Sequence, residues 1–398
     1  MTRQRAQTII SISVIFLVFA LMQITTWIPL RFWKIWSGVD YFDLNLVLNW
    51  SNCFQKLGNF IYEKPMDGTS CTGYIYGSTL IKFLDVAGID SRHTLRLGFL
   101  FMFLLALTIS LVLGNRMSMV LPASNYFLIL SPPTILLAEL GNFDILIVFL
   151  VLFAGISLSK NFYIMALTLV AAATLMKFYT IPIFFFLMLF SKNRIQRLTT
   201  ILVGILVGIR VFADLKLINS DFPSGFYEQF GASIWPKYLE NSHFRGFGDS
   251  INFVIGIVIF SFLCFCVVKF LKNNYLSLDE KYTGSYRERI LFYFLFGTHL
   301  TCYFAGINFD HRLIFFSLSS LIFLNYFSEY GSKFSNLITL LVIVALWITF
   351  PAPGLEPIGD LALEIASILM SIKMASLLKI DLGHFMDLKF RKFVTAGN

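Results

Sequence analysis

The chain has 398 residues, of which 57% are hydrophobic, 17% aromatic and only 14% charged, with a mean hydropathy of +0.75. A soluble chain carries about 25% charged residues to solvate its surface, so this composition excludes a soluble enzyme, a nucleic-acid-binding domain and a disordered chain. The net charge of +8 comes from basic residues scattered between apolar runs and not gathered into one stripe, so nucleic acid is not a partner.

Apolar runs, judged against the ~20 residues that cross a bilayer, predict an all-α, polytopic bundle of about twelve spans near 9–30, 94–114, 118–138, 143–159, 162–176, 178–190, 198–213, 251–271, 290–306, 313–328, 335–350 and 361–379. The chain reads as one integral membrane domain, 1–398. The fifth and sixth runs are short, with Lys177 between them and Pro182 just after, and need not be two full crossings. The basic Thr2–Arg5 is followed by a span-length apolar stretch with no small-residue cleavage site, which predicts a retained first span. Two long polar segments, about 34–93 and 214–250, fall on one face, and 380–398 forms a Lys/Arg-rich tail suited to anionic lipid headgroups.

Placing both termini in the cytoplasm puts 18 basic and six acidic residues inside, a balance of +12, against 13 basic and 17 acidic outside, a balance of −4. The positive-inside rule favours that orientation. Cys264 and Cys266 lie in an apolar run with no histidine at ligand spacing and read as small hydrophobes. Cys53 and Cys71 share the first long polar segment, and an oxidising compartment there would join them.

Ionisable residues at or near membrane depth are costly and mark sites. Asp40 and Asp43, three apart, would point the same way on a helical turn and could act as a general base or as ligands of a divalent ion. The plain alternative is a solvated first turn with Asp43 as a cap. Glu139, Asn142 and Asp144 surround Gly141 at the outer mouth between the third and fourth runs. An acid there also complements a helix dipole. Lys177, between two short helices, suits a phosphate as a point charge, or simply snorkels. Asn308, Phe309, Asp310, His311 and Arg312 pack amide, acid, imidazole and guanidinium into one short loop. Arg312 is matched to phosphate oxygens, with a plain Asp310–Arg312 salt bridge as the alternative.

The order of these features is informative. An acid follows the first span; Gly58-Asn59-Phe60-Ile61-Tyr62 and Tyr74-Ile75-Tyr76-Gly77 come next, then Gly141-Asn142-Phe143-Asp144, then Leu175 to Pro182, then Asn308 to Phe315. This order resembles the polytopic GT-C glycosyltransferases, most nearly the glycosyltransferase family 87 mannosyltransferase-like proteins, from Asp40 to about Leu324. The resemblance implies an inverting hexosyltransferase working on the outer face of a bacterial inner membrane. Its donor would be a sugar carried on a polyprenyl phosphate, and its acceptor a glycan or glycolipid hydroxyl. It further implies that Asp40 or Asp43 is the general base, that Lys177, His311 and Arg312 hold the lipid phosphate, and that Asp144 and Asp310 orient these groups or the sugar. The family often carries Tyr-Arg where this chain has His311-Arg312. A lipid-linked oligosaccharide polymerase or ligase and a lipid or sugar transporter are the other classes; few arginines in the second long segment and the lack of an internal repeat argue against each in turn.

Overall fold

The computed structural model describes residues 13–18, 21, 41–58, 61, 77–113, 123–217, 229–230, 258, 261–262, 265, 269, 284–304, 308–327, 333–348 and 356–395. It is helical, apart from one short antiparallel pair between β1, Gln229–Phe230, and β2, Asn308–Phe309. Asp40 and Cys71 lie outside the described residues, as do Cys264 and Cys266 and the side chains of Asp310 and His311.

The first long polar segment holds two helices, not only loop. α1 runs Phe42–Leu57 and α2 Ser78–Val86. Leu44, Val47 and Leu48, at helical spacing, are buried on one face of α1. α1 begins after Tyr41, whose backbone is left-handed at φ 55, so the helical spacing expected to join residue 40 to Asp43 stops at Phe42. Cys53, on α1, is disulfide-bonded.

α3 spans Thr94–Leu113. Its entry is set by Asp90, whose side chain accepts the Arg92 N–H while the His93 ring takes the Asp90 N–H. α4, Ala123–Ile129, is followed by α5, Pro132–Leu140, with proline at its first positions, where the missing N–H costs nothing. α6, Asp144–Ser159, is apolar throughout and buried over most of its length. It packs against α3, against α7 (Tyr163–Met176) and against α10 (Tyr286–Phe304), which makes it the centre of the bundle. α8, Ile183–Leu189, and α9, Arg194–Leu217, follow α7. α11 is Ile314–Ile322, running on into a single π turn at Phe323–Phe327. α12, Lys333–Ile348, pairs with α13, one continuous helix from Glu356 to Thr395 that joins the expected last span to the expected tail.

Rings fill the space between α8 and α10. Phe186 and Phe190 stack on Tyr293 at 5.4 and 5.6 Å, and Phe292 stacks on Phe296 at 5.3 Å. Nearby, Arg289 on α10 pairs with Asp381 on α13 at 3.2 Å, and the Tyr293 hydroxyl donates to the same carboxylate at 2.7 Å.

Among the described residues, three helices are long and apolar enough to cross a membrane: Ser91–Leu113, Arg194–Lys216 and Ile358–Leu382. A fourth crossing is possible if Asn125–Leu140 and Asp144–Ser159, bent by 113° at their junction, form one broken span. α9 leaves Leu206, Ile209 and Phe212 more than 60% exposed. An apolar face of that length is stable against lipid, not water. The molecule has the character of a membrane protein.

Candidate functional site

Three chain interruptions and the first turn of α1 meet at one point in the bundle. The first interruption joins α5 to α6. Gly141 there is left-handed at φ 61, and a Cβ in its place would come 3.0 Å from the Tyr41 ring and 3.2 Å from Leu44, so both conformation and space call for glycine. Asn142 follows, its Oδ1 accepting the Asp144 amide at 2.9 Å in an Asx turn that opens α6. Asp144, first residue of that helix, is fully buried. The second interruption ends α7: Lys177 leaves the helix with extended backbone, φ −146 and ψ 118, and a tight turn at Phe178–Thr180 leads to Pro182. Proline offers no N–H to continue a helix through that stretch. The third is the tight turn Asp310–Leu313, which precedes α11 and carries Arg312.

Asp144 is the node. Its Oδ1 receives the Lys177 ammonium and, at 2.6 Å, the Tyr179 hydroxyl. Arg312 Nε lies 3.5 Å from its Oδ2, and the Arg312 guanidinium sits 5.3 Å from the centroid of the Tyr179 ring, within cation–π range. Asn142 ties this group to α1: its Oδ1 also accepts from Lys177 at 3.3 Å, and its Nδ2 donates to Asp43. Asp43, in the first turn of α1, attracts the Lys177 ammonium as well.

Exposure is graded across the group. The Asp144 side chain is 0% exposed and that of Lys177 5%, whereas that of Arg312 is 14%, and Asp43 is likewise only partly buried. Asp43 and Arg312 are thus the more exposed members of the group, and Asp144, Lys177 and Tyr179 its buried ones.

No protein-family model, no curated protein and no solved structure matches the chain.

Of the residues singled out from sequence, the structure brings together Asp43, Asn142, Asp144, Lys177 and Arg312. Glu139 is buried in the last turn of α5, where its backbone carbonyl accepts the Tyr41 N–H at 2.9 Å. Asp310 and His311 share the turn that carries Arg312. Two members have no counterpart in the sequence-based set. Tyr179 lies inside the run from Leu175 to Pro182, but as one of 16 tyrosines in an aromatic-rich chain it carries no mark of its own. Cys302, fully buried on α10, lies within electrostatic reach of Asp144, Lys177 and Arg312. Among the described residues no group of three or more His, Cys, Asp or Glu could hold a metal ion.

Proposed function

We propose that this protein is an inverting membrane glycosyltransferase, moving one hexose, mannose-like, from a polyprenyl-phosphate donor to a glycan or glycolipid hydroxyl. The observation that supports it is the graded group just described, in which a carboxylate, Asp43, and a guanidinium, Arg312, are the more exposed members and a lysine is fixed on the buried Asp144. Such a transfer needs a base at the attacking hydroxyl and cations at the departing phosphate. In this reading Asp43, or Asp40, accepts the acceptor's proton as its oxygen attacks the anomeric carbon. The bond from that carbon to the phosphate oxygen breaks, and the negative charge released goes to Arg312, Lys177 and His311. Asp144, Asn142 and Asp310 hold these groups in place, and Tyr179 fixes the Asp144 carboxylate through the oxygen that Arg312 does not face. A divalent ion would have to come to the Asp40 and Asp43 carboxylates.

The finer topology belongs to the same proposal: a GT-C-like bundle of twelve spans with both termini cytoplasmic and the site facing the periplasm across a bacterial inner membrane. The disulfide at Cys53 supports the outer placement, since disulfides persist in oxidising compartments, and Asp43 shares that helix.

The test is transfer from a radiolabelled polyprenyl-phosphate mannose to membrane-extracted acceptors by the purified protein. Asp43→Asn and Asp40→Asn, made separately, should differ, one losing about 10²–10⁴-fold in turnover. Arg312→Ala should lose about 10²–10³-fold and bind donor more weakly. Equal turnover in all three variants and wild type would overturn the reading. A second reading has one observation in its favour: a site at helix interruptions, with the 113° break between α5 and α6, is also how transporters hold a substrate. Movement of the intact labelled donor across proteoliposomes, with no sugar released, would favour it.

A further inference from the structure

α9 turns a long apolar side outward, yet Asp214, near its end, is only 4% exposed. A carboxylate buried on an apolar helix needs partners, and Asp214 has two. Arg210, one turn earlier, lies 3.0 Å from its Oδ1. Its Oδ2 accepts the Ser78 N–H at 3.0 Å, while Arg210 also reaches the Ser78 hydroxyl. Ser78 opens α2, whose cap position is Gly77, a residue with no side chain to satisfy the first amides. Asp214 supplies that cap from another helix.

What this cap presses on is the Lys177 segment. A Cβ at Gly77 would run into the Leu175 carbonyl oxygen, so the α2 start lies directly on the backbone two residues before Lys177. Leu175, Met176 and Phe178, which flank Lys177, line one small cleft with Gly77, Val211, Asp214 and Leu215. The Lys177 ammonium is held by Asp144, and the backbone two residues before it by the start of α2, which Asp214 secures.

We propose that Asp214 is a positioning residue: through the Ser78 amide and the Gly77–Leu175 contact it fixes the backbone that aims the Lys177 ammonium into the site. The consequence for donor binding rests on the transferase reading; the mechanical claim does not. Removing the carboxylate leaves the Ser78 amide buried without its acceptor, a loss large enough for about a tenfold rise in local opening.

The experiment is amide hydrogen exchange on the full-length protein in detergent, with binding of tritiated decaprenyl phosphate measured on the same preparations. Asp214→Ala should raise exchange about tenfold over residues 177–181, with α6 unchanged, and Asp214→Glu should restore the wild-type rate. Decaprenyl phosphate should bind about tenfold more weakly to Asp214→Ala and recover in Asp214→Glu. Arg210→Ala, which keeps the acceptor for Ser78, should show a smaller rise in the same residues, and it decides the matter if Asp214→Ala does not fold. Unchanged exchange at 177–181, or an equal rise throughout the bundle, would overturn the proposal. A local rise with wild type, Lys177→Ala and Asp214→Ala all binding decaprenyl phosphate alike would sustain the positioning role and refute the transferase reading.

Discussion

Two carboxylates in this molecule have nearly the same partners and different surroundings. Asp144 takes a tyrosine hydroxyl at 2.6 Å, a lysine and an arginine. Asp381 takes a tyrosine hydroxyl at 2.7 Å and an arginine at 3.2 Å. Arg289 and Cys302, which mark the two sites on α10, are about 20 Å apart along the helix. Around Asp381 both contributing helices, α10 and α13, are continuous, so the ion pair joins two elements that would exist without it. Asp144 itself follows the helix break at Gly141, Lys177 sits at a second break, and Arg312 at the tight turn that leads into α11. Breaking helices sacrifices backbone hydrogen bonds and cooperativity. A bundle that needed only to hold together would use the Asp381 arrangement twice. Interrupted helices gathered on one buried acid are the mark of a site.

The comparison can be broken first at Asp144. Asp144→Ala leaves Lys177 and Arg312 in the interior without their acid, and should cost about 3–5 kcal/mol in detergent unfolding. The triple replacement Asp144→Leu, Lys177→Met, Arg312→Met should regain most of that stability while abolishing function. If the triple variant stays as unstable as Asp144→Ala, the charges are architectural and the contrast with Asp381 fails. Asp381→Asn keeps an acceptor for Tyr293 and loses only the charge facing Arg289, so about 1–2 kcal/mol is expected, with activity retained. A third pair gives the smallest effect. Asp90 is held down to about 2, from the ordinary 3.8, chiefly by its hydrogen bond with the Arg92 side chain. Because the folded value is the lower one, its contribution is present above pH 3.8 and disappears as pH falls through about 2. Arg92→Ala should therefore unfold like wild type below pH 2, and any difference at neutral pH should be at the limit of detection, since the guanidinium is 83% exposed.

How far the sequence reveals this arrangement depends on the kind of signal. Charge is scarce in an apolar chain, so Asp144, Lys177 and Arg312 stand out against their neighbours, and they do meet. Gly141 and Pro182 announce two of the interruptions by backbone chemistry alone. Aromatic residues carry no such contrast: Tyr179 is indistinguishable in sequence from a packing ring, although its hydroxyl is one of the contacts on Asp144. Segment 34–93 reads as loop because Asn45, Asn49, Ser51 and Asn52 dilute its hydropathy. The Leu44, Val47, Leu48 stripe beneath them is a helix signal that a span-length window averages away. The Asp214–Ser78 contact joins residues 136 apart, and no local pattern encodes such a partnership.

The length of α13 gives the Asp381 clamp a further meaning. Its membrane-length stretch, Ile358–Leu382, is not uniformly apolar: Asp360, Glu364 and Lys373 lie along it, and all three are buried against the rest of the bundle. Asp381, tied to Arg289 and Tyr293 at the end of that stretch, pins the helix to α10, so α13 cannot slide along its own axis without first parting that clamp.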